Sequence, residues 1–576
     1  MEKLYNVRKI SDLKDLMLQS SRLYGDKSAF LIKEKDNRYR SISYKTFHGH
    51  TEDLGTGLLK LGLKGCTVAI LSENRYEWCV SYLSIVNGIG TVVPLDKELP
   101  PNEIKNLLER SEAAAVIFSN KYKQDIKMLQ PSVPTLKYLI NMDSASNEED
   151  ILSFQEILKT GNAHVNSGDS SFLSAAVEPD SASMLIFTSG TTDIAKGVML
   201  SHGNICSNIM AVCSTVHVDS TDSSLSILPL HHTYECTIGF LALLFNGAAI
   251  SFNDGLKHIP KNLQNFKPTI MITVPLLLEN VYKKIQHKLQ KSKTFKLKFF
   301  AALYLNYFLY KIFKIDLRRS VFKEIHESFG GKMRLIIVGA APVKPEVLRL
   351  FRRIGIVVLQ GYGLTECAPL VTGNRDTSFA DKSCGKPIPG VDVKIQNPDK
   401  KGIGEIIVRG RNVMLGYYRN ENATRKSLSD GWFRTGDLGY MDRKGFLYIT
   451  GRLKNVIVTK NGKKIFPEEV ESYINSNPFV QDSVVWGKYD ESSGDTVVCA
   501  KILPNTEAIN EKFNGLNLSK DELMKLLKDI IKTVNGKMPL YKHIKEFSIR
   551  ENEFIRTTTH KIKRYVEEAQ GNLTNS

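Results

Sequence analysis

Residues 184–197 read Met-Leu-Ile-Phe-Thr-Ser-Gly-Thr-Thr-Asp-Ile-Ala-Lys-Gly. Met184–Phe187 is short and apolar, as a buried strand is. The ten residues from Thr188 to Gly197 then gather hydroxyls, glycine and one lysine ahead of the helix-like LSHGNICSNIMAV. A strand-to-helix turn of that composition suits a polyphosphate. Small residues let backbone N–H groups approach the anion, hydroxyls donate to it, and Lys196 adds charge. It is not a Walker A loop, whose lysine follows glycine and precedes Ser or Thr; here Ala195 and Gly197 flank it. A polar loop between two core elements is the plain alternative.

Outward from this segment, similar runs recur at Thr67–Leu71, Ala114–Phe118, Thr269–Val274 and Leu335–Val338, each followed by turn residues or an amphipathic stretch. That alternation predicts layered α/β structure. After about residue 380 the strands shorten between glycine turns, at Val391–Ile395, Gly404–Val408 and Gly445–Ile449, which predicts an antiparallel, barrel-like subdomain. Past Gly451-Arg452 a small α+β module is expected. It has a strand at Asn455–Val458, a helix from Pro467, a strand at Ser483–Trp486, and a long helix from Ser519 with Glu522 completing a capping box. At 576 residues the chain exceeds one ordinary core. The predicted division is 1–453 and 454–576.

Hydrophobic residues make up 42% and charged residues 24%, the balance of a soluble globular protein. The net charge is +17, from 78 basic and 61 acidic residues. Such a surface attracts nucleotides, coenzyme A phosphates and acidic lipid headgroups. No nucleic-acid signature accompanies it, so nucleic acid is not an expected partner. The eight cysteines form no CxxC pair, which points to reduced thiols in a cytoplasmic protein rather than to zinc or redox chemistry. The N-terminus shows no signal-peptide pattern, and no uncharged run reaches the ~20 residues of a membrane span.

Three more motifs carry chemistry. In Gly361-Tyr362-Gly363-Leu364-Thr365-Glu366 an aromatic between glycines can stack on a flat base, and the carboxylate can meet Mg²⁺. In Phe433-Arg434-Thr435-Gly436-Asp437 a carboxylate in a glycine turn can accept from ribose hydroxyls, with Arg452 fifteen residues on. In Thr557-Thr558-Thr559-His560-Lys561 a lysine can neutralise charge during transfer at phosphorus. Packing turns and a solvated basic tail are the bland alternatives. Between Lys291 and Lys314, lysines alternate with a dense aromatic set that includes Phe299, Phe300, Tyr304 and Phe308. Aromatic stripes at helical spacing usually face a core, so a core helix against the sheet is expected. Docking on an anionic membrane is the alternative.

Together, in this order, the motifs resemble the acyl-adenylate-forming superfamily of acyl-CoA synthetases, peptide-synthetase adenylation domains and firefly-type luciferases, from about Asp26 to Arg564. The resemblance implies ATP, Mg²⁺ and coenzyme A. It makes Thr188, Ser189, Gly190, Thr191, Thr192 and Lys196 the phosphate loop, and Gly339-Ala340-Ala341 the segment lining adenine. Tyr362, between Gly361 and Gly363, would stack on adenine, and Thr365 would meet the α-phosphate. Glu366 would hold Mg²⁺ with Thr188. Asp437 would bind ribose, with Arg452 nearby. Lys454 would be the hinge of a small mobile C-terminal domain, with Gly462 beside the pantetheine channel and Lys561 the adenylation lysine. His232 would face the acyl pocket. Asp193, Ala195 and His560 depart from the family's usual glycine, proline and glycine. Leu228–Glu235, Gly339–Val343 and an insertion at 285–330 look most like bacterial-type long-chain fatty acyl-CoA synthetases. The implied activity is formation of a fatty acyl-adenylate and then its coenzyme A thioester. A carrier protein as acceptor, a silent adenylate binder and a luciferase-like monooxygenase stay open. Cytoplasmic residence is the expected setting, with peripheral contact at an anionic membrane as the alternative.

Overall fold

The short apolar runs are strands, and their alternation sets the layers. In Thr67–Leu71, Val68 and Ile70 join one buried cluster, while Ala69 and Leu71 join another. In Leu335–Val338, Leu335 faces the first cluster and Ile336 and Val338 a third. Successive side chains point to opposite faces of a sheet, so these strands are covered on both sides, as parallel sheets are.

The structure, a computed structural model, describes residues 4–34, 36, 38–188, 195–313, 315–461, 463–491, 494–513, 518–556, 562, 564 and 567. Among these, an eight-stranded sheet runs parallel through Ala182–Thr188, Thr91–Pro94, Thr67–Leu71, Ala115–Phe118, Tyr138–Asn141 and Ile151–Ser153. Lys196–Ser201 and Gly416–Tyr417 extend it in the antiparallel sense. A nine-stranded sheet runs parallel through Ser28–Lys33, Ala249–Phe252, Ser223–Ser226, Ile270–Thr273, Leu335–Val338 and Val357–Gly363, with antiparallel edges. The largest cluster lies between the sheets, where helices Tyr44–Lys60, Tyr76–Ser84 and His202–Cys213 supply Leu54, Leu58, Trp78, Tyr82 and Ile205. Pro101–Arg110 covers the outer face of one sheet. Pro275–Lys291 and Pro345–Arg353 cover the outer face of the other. The layered α/β expectation holds.

Val391–Gln396, Gly404–Gly410, Trp432–Met441, Leu428–Ser429 and Leu447–Arg452 form the expected antiparallel sheet. The C-terminal part has its own core and a sheet of Val480–Asp490, Asp495–Pro504 and Ile544–Ile549, packed with helices Pro467–Ile474 and Lys520–Asn535. Ser519 caps the latter with the capping box read from the sequence.

Two expectations are corrected. Lys196 does not sit at a strand-to-helix turn. Ala182–Thr188 and Lys196–Ser201 form a hairpin, and the helix begins at His202. The sequence signal for that second strand is weak because glycine and lysine open it. The aromatic helix, Lys293–Phe313, is not a core helix: Phe299 is buried, but Phe300, Tyr304, Phe308 and Phe313 are exposed. The sheet face it would have covered is already taken by Pro275–Lys291 and Pro345–Arg353. Among the described residues no helix is long and apolar enough to cross a membrane.

Candidate active site

Thr188 and Lys196 face each other at the mouth of the hairpin, where Thr188 Oγ1 donates to the Lys196 carbonyl at 3.3 Å. Ser189, Gly190, Thr191, Thr192 and the departure Asp193 lie outside the described residues. Arg110 Nη2 donates to the Ala195 carbonyl at 2.8 Å, tying a neighbouring helix to the end of this loop. Gly416–Tyr417 pairs with Val198 and Met199. That register brings the Tyr417 ring to 4.9 Å from Lys196 Nζ, a cation–π contact. Tyr417 Oη donates to Glu366 Oε1 at 2.9 Å. Burial and the adjacent Glu366 raise the phenol's pKa, so it stays a donor. The ring thus stands between a cation and a carboxylate.

Glu366 and Thr365 sit half-buried on the turn Thr365–Cys367, just past the strand Val357–Gly363. Any side chain at 363 would meet the Pro369 carbonyl oxygen at 2.2 Å, so glycine is required to bring the turn this close. On the same strand Tyr362 is buried, and its hydroxyl donates to Asp437 Oδ2 at 2.7 Å across 75 residues of sequence. Arg452, the register partner of Asp437, donates through Nε to Oδ1 at 2.8 Å. Burial first, and Asp437 second, push the Tyr362 pKa well up. The second and third motifs therefore meet. Each Asp437 oxygen keeps a further lone pair for a hydroxyl donor.

Gly339, Ala340 and Ala341 follow the strand Leu335–Val338, with Ala340 in the left-handed region at φ 69°. A side chain at 339 would lie 3.1 Å from the Tyr234 ring. Tyr234 Oη donates to the Ile337 carbonyl at 3.2 Å, so the Leu228–Thr233 loop runs into a helix, Tyr234–Leu241, whose first turn lies against this segment. In that loop the rings of His231 and His232 meet edge-on at 4.2 Å, and His231 Nε2 is 3.5 Å from Asp96 Oδ1. Behind them Glu235 is fully buried. Its Oε1 accepts from Ser226 Oγ at 2.6 Å, and no described group hydrogen-bonds Oε2. Burial pushes its pKa up to about 8. Asn74 ties this network to the loop, donating to Ser226 Oγ and the Leu228 carbonyl and accepting from Leu230 N–H.

Lys454 is exposed on the turn Leu453–Asn455, between the barrel-like sheet and the C-terminal part. Gly462 and Lys561 lie outside the described residues. No role for Tyr417, Arg110 or Glu235 was read from the sequence. Tyr417 had a signal, two aromatics behind a glycine in Met-Leu-Gly-Tyr-Tyr; Arg110 ends an ordinary amphipathic helix and had none.

The model of the AMP-binding enzyme family matches residues 18–418, and that of its C-terminal domain matches 454–570. The chain is 28% identical to fatty acyl-CoA synthetase B of Dictyostelium discoideum, over 96% of this chain and 88% of that protein. It is 30% identical to long-chain-fatty-acid–CoA ligase FadD15 of Mycobacterium tuberculosis, over 75% and 72%. Its fold is similar to that of the anthranilate CoA ligase AuaEII solved with anthranoyl-AMP, at TM-score 0.77 and 20% identity over 100% and 98% of the two chains.

Proposed function

This chain belongs to the AMP-binding enzyme family, and on that premise we propose that it is an AMP-forming ligase that activates a long-chain fatty acid with ATP and passes the acyl group to coenzyme A. The observation that carries the reading is the Lys196–Tyr417–Glu366 assembly beside Tyr362–Asp437–Arg452. It sets a cation, a carboxylate and hydroxyl donors side by side, as a nucleoside triphosphate requires.

Lys196 and the Thr188 hydroxyl bind the phosphates. Asp437, steadied by Arg452, takes the ribose. Gly339–Ala341 and Tyr362 border the base, and Thr365 meets the α-phosphate. His232 faces the acyl chain. Among the described residues no group of three or more His, Cys, Asp or Glu gathers to hold a metal. One carboxylate with a hydroxyl fits Mg²⁺, which keeps water and takes phosphate oxygens for its other positions. Glu366 and Thr188 would hold it, and it would offset phosphate charge. Lys561 adds charge at the α-phosphorus during adenylation. Rotation at Lys454 then brings Gly462 toward the thiol. The domains of this division are 1–453 and 454–576. The net charge of +17 and a substrate that partitions into bilayers support a reading in which the enzyme works at an anionic membrane surface.

The test is the product. Purified protein with MgATP and a fatty acid should exchange labelled pyrophosphate into ATP, and should yield AMP and thioester once coenzyme A is added. ADP as the main nucleotide product overturns the reading. Thioester formed on a carrier protein but not on coenzyme A reassigns the acceptor.

A further inference from the structure

The helix Lys293–Phe313 puts its apolar side outward. At 100° per residue, Leu297, Phe300, Tyr304, Phe308 and Ile312 fall on one face, and each is exposed, Leu297 at 72% and Tyr304 at 75%. The opposite face carries Phe299 and Asn306, both buried. Phe299 packs on the Phe322 ring at 5.1 Å, and Asn306 Oδ1 accepts from Leu317 N–H at 2.8 Å. The helix is thus fixed to the body on one side and bare on the other. A contiguous exposed apolar stripe of this kind marks an interaction site.

Charge identifies the occupant. From Asn280 to Ile315 the sequence has no Asp or Glu and carries nine lysines. Lys296 and Lys298 lie about 100° to either side of the stripe, and Lys293 falls on its edge; all three are exposed. An apolar face rimmed by lysines is the pattern of a helix lying in a lipid interface, its long cationic side chains reaching the headgroups. A protein partner of matching apolar shape has no need of an acid-free, lysine-rimmed surround 36 residues long.

The same helix is coupled to the site. Pro275–Lys291 starts where the strand Ile270–Thr273 ends, and Tyr234 Oη reaches the Thr273 carbonyl at 3.4 Å there. It runs to Ser292 and packs on Lys293–Phe313. Pro275–Lys291 thus joins the proposed acyl side of the site to the helix that carries the bare stripe.

We propose that Lys293–Phe313 is the element that docks this enzyme on an anionic bilayer, lying in the interface with Leu297, Phe300, Tyr304 and Phe308 among the acyl chains. This rests on the reading of the chain as a fatty acid ligase that works at a membrane. Docked in this way, the enzyme meets its substrate where that substrate concentrates.

The test is co-sedimentation of the full chain with phosphatidylcholine vesicles, with and without phosphatidylglycerol, across a salt series. The wild type should bind the anionic vesicles at low salt, be released by salt, and bind the neutral vesicles little. The variant Lys293→Gln/Lys296→Gln/Lys298→Gln should bind on the order of a hundredfold more weakly at low salt, as three lysines beside an anionic surface imply. Leu297→Ser/Tyr304→Ser/Phe308→Ser should lose binding at every salt concentration. Both variants should form thioester from a dissolved short-chain acid at the wild-type rate. Absence of low-salt binding, or binding unchanged in both variants, overturns the proposal. So does wild-type self-association that the serine variant abolishes without any vesicle binding, which would assign the stripe to a second copy. Vesicle binding without thioester formation by the wild type would remove the ligase reading and leave the docking helix standing.

Discussion

At the proposed nucleotide end of the site, the buried Asp437 has both oxygens met, one by the Tyr362 hydroxyl and one by the Arg452 guanidinium. At the proposed acyl end, behind the histidine loop, the fully buried Glu235 has Ser226 on one oxygen and no described partner on the second. The first end fixes charge by pairing it, and the second removes charge by holding a proton. The difference suits the two ligands proposed. A triphosphate is handled by preorganised charges that persist through the reaction. An apolar chain is best served by a wall without net charge, since an ion buried beside it would bear a desolvation penalty.

This comparison assigns the largest kinetic effect to the nucleotide end. Lys561→Ala removes a cation that acts only during adenylation. Pyrophosphate exchange should fall by on the order of 10²–10³-fold, the size of losing one preorganised electrostatic contact. The same variant should make thioester from supplied acyl-adenylate within a few-fold of wild type. Equal loss of both half-reactions would show that charge at this end is not divided between two steps.

Asp437→Asn and Glu366→Gln sharpen the distinction within the same end. Asp437 binds two parts of the fold together, so asparagine should weaken both structure and nucleotide binding. Arg452 is 42% exposed, which limits the stability loss to about 1–2 kcal/mol. A Tm a few degrees lower and an ATP KM raised about tenfold are the expected readings. Among the described residues Tyr417 is the hydrogen-bond partner of the Glu366 carboxylate, so Glu366→Gln should leave Tm nearly unchanged. It should raise the Mg²⁺ requirement, because a hard cation prefers the charged oxygen. An unaltered Mg²⁺ titration would remove Glu366 from the metal.

The strands of the two sheets were legible because apolar runs bounded by turn residues leave a local signature; Thr67–Leu71 and Leu335–Val338 fall on the residues read. The hairpin was not, since Lys196-Gly197 opens a strand that pairing, rather than propensity, makes. Asp437 and Arg452 were legible as motifs, but their register opposite one another is a property of the sheet. Tyr417 was missed because it reaches Lys196 only through a two-residue strand added at the edge from more than 200 positions away. The outward face of Lys293–Phe313 was misjudged because periodicity reports that a helix has an apolar side, and cannot report that the sheet beside it is already covered.

Glu235 offers the smallest and most specific way to break the comparison. Its carboxyl has an ordinary value of 4.5, and burial in the fold pushes it up to about 8. Between those values the folded protein keeps a proton that the unfolded chain has released. Unfolding then sheds a proton, so rising pH favours the unfolded state. The stability this neutral carboxyl contributes is complete below the ordinary carboxylate range and is lost as pH climbs toward 8, by at most about 1.4 kcal/mol per pH unit. Glu471, pushed up to about 7 by burial despite Arg564 beside it, adds a slope of the same sign. A single wild-type curve therefore mixes the two, and the difference between wild type and Glu235→Gln isolates one. Glutamine keeps the shape and the oxygen that accepts from Ser226, and it cannot ionise. Its Tm should equal or fall slightly below that of the wild type near pH 5, and should exceed it by a margin that widens from pH 6 to 8. Adenylation at neutral pH should change by no more than a few-fold, because the carboxyl is buried behind the histidine loop. Parallel Tm curves would mean that Glu235 is ionised in the folded protein and has found a partner, and the acyl end would then handle charge as the nucleotide end does.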